Sequence, residues 1–332
     1  MRLPISLVTM LLSTPALADA PAVVTDIPPV HSLAAQVMGD LGTPVLLLDK
    51  GSDPHHFQLK PSQARALSDA DLVFWVGPEL TPWLERALDG IGPKGKAVEL
   101  IELAGLTLHH FGEEHAHEEE HAHEVEHAAE EDHAGGGDHM AAEEHDHDGL
   151  DPHAWLDPHN ARLWATYMAD ALAQADPENA ATYAANAATA LAGIDRTEAQ
   201  VRQTLAPVSG RPIVVFHDAY TYFAEAFDVT IAGAVTVGDA ASPGAARLRA
   251  IRQELGDDGA VCIFPEVQHD PAYIGAVIEG SGVRLGGALD PSGSSLQPGP
   301  GLYADLMTGL ARTIADCATR ETGVSPASRN RR

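Results

Sequence analysis

"DLVFWVG" (Asp71–Gly77) decides the fold. Its five inner residues, Leu72 to Val76, are apolar without a break. A strand with one face in water alternates apolar and polar residues, so an unbroken run reads as a strand buried on both faces, the mark of a parallel sheet covered by helices. Helical patterns flank it. "PSQARALSDA" (Pro61–Ala70) precedes it, and "LTPWLERALDG" (Leu80–Gly90) follows and stops at Gly90. Further out, "AVVTDI" (Ala22–Ile27), "TPVLLLDK" (Thr43–Lys50) and "KAVEL" (Lys96–Leu100) read as strands, and Pro28–Asp40 as a helix opening on prolines. Repeated βα alternation implies a parallel sheet.

A second alternating block lies downstream. Strands are expected at Arg211–Asp218, Thr230–Val235, Ala260–Glu266 and Val283–Leu289. Helices are expected at Ala219–Phe227, Ser242–Leu255, Asp270–Gly280 and Gly301–Ala318. Between the blocks, Pro158 to about Leu205 is helical, with a break near "DPEN" (Asp176–Asn179). A helix over Pro177–Ala206, capped by Asp176, would be roughly 45 Å long at ~1.5 Å per residue. The expectation is an α/β protein with two lobes joined by a long helix. In segments, this gives a first lobe over 21–157, a helical region over 158–206, a second lobe over 207–320 and a disordered tail over 321–332. Ligands of such sheets bind beyond the carboxyl ends of strands, and a cleft between lobes offers a second option at the same edges.

The first twenty residues, "MRLPISLVTMLLSTPALADA", combine Arg2, a short apolar run and small residues at Ala16, Ala18 and Ala20. They read as a signal peptide cleaved after Ala18 or Ala20. The run is too short to span a bilayer. A soluble, exported protein is expected, with the periplasm as its destination. The absence of Cys at the cleavage site argues against a lipid anchor. In an oxidising compartment the two cysteines, Cys262 and Cys317, are expected to pair. The net charge is −28. It argues against nucleic acid and anionic lipid as partners and favours cations.

Much of that charge sits in "HHFGEEHAHEEEHAHEVEHAAEEDHAGGGDHMAAEEHDHDG" (His109–Gly149). This stretch holds eleven of eighteen histidines and fifteen carboxylates. It cannot bury enough apolar surface to offset its ordering entropy, so disorder is expected. It could be the active site, an accessory to a site elsewhere, or a solvated spacer.

Seven histidines remain outside it: His31, His55, His56, His153, His159, His217 and His269. His55 and His56 follow the second strand, His217 ends the strand of the second block, and His153 opens the helical region. Asp290 follows the last strand. Carboxyl edges pointing at one cleft would bring these together. Three neutral imidazoles plus one oxygen make a tetrahedral Zn²⁺ site. Each histidine alone is more often a surface or capping residue.

Four stretches carry a family resemblance: "GSDPHHFQLKPSQARALSDADLVFWVGPELTPWLE", "DPHAWLDPHNA", "VVFHDAYTYFAEAF" and "CIFPEVQHDP…GALDPSG". Together they resemble the cluster A substrate-binding proteins of bacterial metal ABC importers, and most of all the zinc-specific, ZnuA-type branch. The resemblance implies two (βα)4-type lobes, a rigid linking helix and a metal in the cleft. It places metal ligands on His55, His153 and His217. The fourth falls on Asp290 or on water, with Asp290 favoured; Pro54 stands where some zinc-specific relatives have Glu. His56 is read as non-ligating, Glu266 as a residue orienting a ligand histidine, and Cys262–Cys317 as a bridge that relatives share. His31 reads as a bystander and His269 as a turn residue. His159 is expected at a helix start facing away from His153, and Trp75, Trp155, Tyr220 and Tyr222 in the core and cleft walls.

The implied function is capture of Zn²⁺ in the periplasm and delivery to the permease of a zinc ABC importer, without catalysis and as a monomer. A periplasmic zinc chaperone is a further candidate partner. His115, His117, His121, His123, His127, His133, His139, His145 and His147 would serve as auxiliary, low-affinity zinc ligands. The alternatives are a Mn²⁺ or Fe²⁺ cargo and, further off, a zinc hydrolase, against which stands the lack of a general base beside the ligands that the resemblance implies; HExxH occurs only inside the acidic segment, at His117–His121 and His123–His127.

Overall fold

The chain is described by a computed structural model over residues 20–111, 149–236, 249, 251–252, 255, 259–269, 272–278 and 281–320. Two four-stranded sheets organise these residues. The first contains β1 (Val23–Thr25), β2 (Val45–Leu46), β3 (Leu72–Trp75) and β4 (Lys96–Glu99) in the order β2-β1-β3-β4. The second contains β5 (Ile213–His217), β6 (Ile231–Thr236), β7 (Cys262–Ile263) and β8 (Arg284–Leu285) in the order β6-β5-β7-β8. Every pairing is parallel. The two sheets therefore share one topology. In each, the strand order switches side between the first strand and the third, and the crevice at that switch point is where ligands of open α/β sheets bind.

Strand side chains alternate between two cores. Val23, Leu72 and Phe74 of the first sheet and Ile213, Val215 and Cys262 of the second face one continuous core that runs through both lobes. Val24, Val73 and Trp75 pack on the outer face of the first sheet, and Val214, Phe216 and Ile263 on that of the second. Both faces are covered, which is why "LVFW" shows no polar alternation. Buried Asp26, just past β1, accepts the N–H groups of Ile27 (2.7 Å) and Val76 (2.8 Å) and ties the carboxyl ends of β1 and β3. Burial pushes its carboxyl group up to about 7.

The covering helices of the first lobe are α1 (Pro28–Met38), α2 (Pro61–Asp69) and α3 (Pro82–Ile91). The helical region contains α4 (Pro158–Ala175) and α5 (Ala180–Leu205). The expected thirty-residue helix is shorter because its ends tighten. Asp176 accepts from Asn179 Nδ2 (2.7 Å) and Tyr183 OH (2.9 Å), which folds Pro177–Asn179 into a 3-10 turn, and a second such turn follows at Ala206–Val208. The 26 residues of α5 still span about 39 Å. Its buried residues, Tyr183, Ala187, Ala190, Ile194, Thr197, Val201 and Leu205, recur every three or four positions. That is one helical face. The face packs on α1, α4 and the C-terminal helix, and so touches both lobes.

The second lobe adds α6 (Thr221–Phe227), α7 (Ala272–Ile278) and α8 (Leu302–Ala318). Cys262 and Cys317 form a disulfide that ties β7 to α8. Closing a loop with a sequence separation of 55 stabilises the folded chain by about 4 kcal/mol on the chain-entropy argument. Residues 1–19 of the expected signal peptide (1–20), the tail (321–332) and most of the expected helix Ser242–Leu255 lie outside the described residues. No helix of the described residues is long and apolar enough to cross a membrane.

Candidate metal centre

Three histidines from three separate segments meet in the cleft. His55, His153 and His217 each offer a ligand atom, and these atoms lie within 4.8 Å of one another. The ring centroids are 5.7 Å apart for His55–His153, 6.4 Å for His55–His217 and 5.2 Å for His153–His217.

Local sequence places each one. His55 sits in the loop after β2, in the tripeptide Asp53-Pro54-His55. Asp53 Oδ1 accepts the His55 N–H at 2.9 Å, forming an Asx turn. Trp83 Nε1 donates to the Pro54 carbonyl at 2.7 Å and pins that loop to α3. His153 sits in a second Asp-Pro-His turn, where Asp151 Oδ1 accepts both the backbone N–H (2.9 Å) and ring Nδ1 (2.7 Å). His217 is the last residue of β5, at the carboxyl edge of the sheet. Its Nδ1 faces both oxygens of Glu266 at 2.8 and 2.7 Å. Tyr220 OH donates to Glu266 Oε1 at 2.9 Å.

These contacts fix the tautomers. A ring that donates Nδ1–H to a carboxylate presents the lone pair of Nε2. His153 and His217 therefore point two Nε2 acceptors at one another, 3.4 Å apart. Two lone pairs at that distance repel. A tetrahedral ion with Zn–N bonds of ~2.0–2.1 Å needs donor separations of roughly 3.3–3.4 Å, and it turns this repulsion into two bonds. Burial, and then the neighbouring imidazoles of His153 and His217, hold His55 well below the usual histidine range. Its ring stays neutral, the form a metal requires.

The other candidates fall elsewhere. Asp290, favoured from the sequence as fourth ligand, does not join the cluster. Its oxygens accept from Ser294 N (3.1 Å), Ser295 N (2.8 Å), Ser295 Oγ (2.5 Å), Ser292 Oγ (3.3 Å) and Gln268 Nε2 (3.4 Å). Glu266 lies where an orienting carboxylate should. His56 is exposed, with Nδ1 3.2 Å from Asp53 Oδ2. His31 is buried, its Nε2 3.1 Å from the Pro44 carbonyl, and His159 Nε2 lies 3.0 Å from the Gly105 carbonyl. His269 does occupy a turn, its N–H donating to Glu266 O at 3.3 Å. It also does more than the sequence suggested: with His217 and Glu266 it forms a second group of potential ligands. Its ring stacks on Phe216 at 4.3 Å. Trp75, Trp155, Tyr220 and Tyr222 are all buried.

Asp151 is the functional residue the sequence reading missed. Its signal was present in the repeated Asp-Pro-His, where an Asp two residues before the histidine accepts its backbone N–H each time. The auxiliary histidines, His115 to His147, lie outside the described residues. The two ends of their segment are described: Phe111 N–H donates to Gly149 O (2.6 Å) and Asp151 N–H to His109 O (2.9 Å).

Comparison with known proteins agrees in family and fold. Residues 23–317 match the family described as "Zinc-uptake complex component A periplasmic". The chain is 52% identical over 304 residues to the high-affinity zinc uptake system protein ZnuA of Paracoccus denitrificans (strain Pd 1222), covering 91% of this chain and 93% of that protein. It is 38% identical over 307 residues to the protein of the same name from Brucella suis biovar 1 (strain 1330), covering 90% and 92%. A crystal structure of ZnuA superposes with a TM-score of 0.69 at 24% identity, covering 91% of this chain and all of the other, and so shares the fold.

Proposed function

The chain belongs to the periplasmic zinc-uptake component A family, and from that premise we propose that it captures Zn²⁺ in the periplasm and hands it to the permease of a zinc ABC importer. The ion is held by His55 and by Nε2 of His153 and His217. One observation carries this reading: two Nε2 atoms 3.4 Å apart, each on a ring whose other nitrogen faces a buried carboxylate. Three neutral imidazoles favour zinc over the oxygen-preferring Mn²⁺. The five donors on Asp290 favour water as the fourth ligand in this arrangement, with Asp290 as the alternative if its loop releases it.

Binding and release need no chemical step, so no catalysis is assigned. The protein acts as a monomer after cleavage of its signal peptide, and a periplasmic zinc chaperone is a further partner. The histidines of the acidic segment collect zinc weakly, because no fixed geometry is built for it there.

Isothermal titration of the mature protein with Zn²⁺, with Mn²⁺ as competitor, tests the assignment. One tight zinc site that Mn²⁺ does not displace is expected, above weaker binding that disappears when residues 113–148 are removed. Displacement by equimolar Mn²⁺ would move the cargo to manganese. Loss of the tight site with the segment would move the site itself.

A further inference from the structure

The stem of the His/acid-rich segment and the ligand His153 meet on a single hydroxyl group. His110 and Leu150 form an antiparallel bridge, so the segment leaves and returns at one place. Tyr222, buried on α6 of the second lobe, spans both strands of that stem. Its OH accepts the His109 N–H at 3.1 Å and donates to the Asp151 carbonyl at 2.7 Å. The His109 ring packs edge-on against the Tyr222 ring at 4.6 Å, and His109 Nε2 lies 3.4 Å from Glu225 Oε2 on the same helix. The Asp151 whose carbonyl Tyr222 holds is the residue whose carboxylate takes both the N–H and Nδ1 of His153. Two residues earlier, Tyr220 holds Glu266, the carboxylate facing His217. One turn of chain thus holds the partners of two cluster histidines.

We propose that Tyr222 is a positioning residue for His153: its hydroxyl fixes the Asp151 peptide, and through it couples the second lobe and the stem of the acidic segment to the zinc ligand. This rests on the zinc reading above. A buried phenol that both accepts and donates has no freedom to turn. Replacing it with Phe leaves a buried carbonyl and a part-buried N–H without this partner, and the stem is then free to shift along the helix. The Asp151 carboxylate moves with its own backbone, and His153 moves with the carboxylate.

The test is Tyr222→Phe in the full chain. Zinc affinity is read by competition with a chromogenic chelator, ligand geometry by the visible absorption of the Co²⁺-loaded protein. Losing a partner of a metal-bound histidine costs about ten- to a hundredfold in affinity, and Tyr222 acts one bond further out, so a loss of about three- to tenfold is expected. The Co²⁺ bands should shift. In an Asp151→Ala background the same change should cost less than about twofold, because the acceptor that links the Asp151 peptide to His153 is already gone. Glu225→Ala loosens only the His109 ring contact and should leave affinity within about twofold of wild type. Binding by Tyr222→Phe equal to wild type with an unchanged Co²⁺ spectrum would overturn the proposal. So would a loss that adds in full to that of Asp151→Ala, or an equal loss from Glu225→Ala, which would assign the effect to packing of the stem. If His153→Ala binds zinc like wild type, the zinc reading itself fails, and that outcome is separate.

Discussion

Asp53-Pro54-His55 and Asp151-Pro152-His153 are the same tripeptide in the same Asx turn, and each delivers a histidine to the cleft. They differ in what the aspartate does next. The Asp53 side chain is 32% exposed, and its second oxygen meets the exposed ring of His56. Asp151 is fully buried and takes the ring of its own histidine as well as its backbone. The first turn places a proposed ligand; the second places and orients one. A third copy, Asp157-Pro158-His159, caps α4 at 2.7 Å and sends its ring to the Gly105 carbonyl, away from the cleft. The tripeptide therefore builds a turn, and burial decides whether that turn also becomes part of a metal site.

The comparison is open to direct attack, and the largest effect should come from the ligands. His153→Ala should weaken zinc binding by more than the roughly hundredfold that the loss of an outer partner can cost. A smaller loss in chelator competition would remove His153 from the site. Next comes the contrast between the two aspartates. Asp151→Ala removes the acceptor of the His153 ring and should cost about ten- to a hundredfold. Asp53→Ala removes only a part-exposed acceptor of the His55 N–H and should stay within about threefold. Equal losses would mean that both turns work alike.

Acidification should have a subtler effect. Protonated imidazole cannot bind zinc, and His55 is held below the usual histidine range by burial and its neighbours. The advantage of wild type over His55→Ala should therefore persist from pH 8 down to about 6.5, where ordinary imidazole titrates, and shrink only at lower pH. An advantage already halved at pH 7 would contradict that environment for His55. The smallest effect is expected from the third turn: His159→Ala should leave affinity within about twofold. A larger loss would show that the tripeptide matters for some reason other than its place in the cleft.

Sequence pattern reached the order of the elements because apolar periodicity records burial, and the two-sided burial of Leu72–Trp75 is written in that run. It overran the strands. Thr43–Lys50 is a strand only at Val45–Leu46, with the Leu47 and Leu48 N–H groups making the last hydrogen bonds to the Thr25 and Asp26 carbonyls before the chain leaves the sheet. Apolar residues mark a buried segment and not the length of its ladder. His55 and His217 stood out by position after strands, His153 at the opening of the helical region, and all three by resemblance. The company they keep was less visible. "DPSGSS" (Asp290–Ser295) carries the composition of a loop that consumes its own aspartate, and the serines do take up Asp290. The second role of His269 depends on a turn that brings it beside Glu266 and His217, which spacing alone does not reveal.

Trp155 gives one of these contacts a practical use. Its fully buried indole lies 5.3 Å from the ring of His153 and donates Nε1–H to the Pro291 carbonyl at 2.8 Å, next to Asp290. The molecule thus carries an intrinsic fluorophore wedged between a proposed ligand histidine and the loop of the opposite lobe. Arrival of a cation on His153, or a shift of the Asp290 loop, changes the field at that indole. Zinc titration is therefore expected to change the unlabelled protein emission, and Trp155→Phe to remove that change while the emission of Trp75, Trp83 and Trp164 remains.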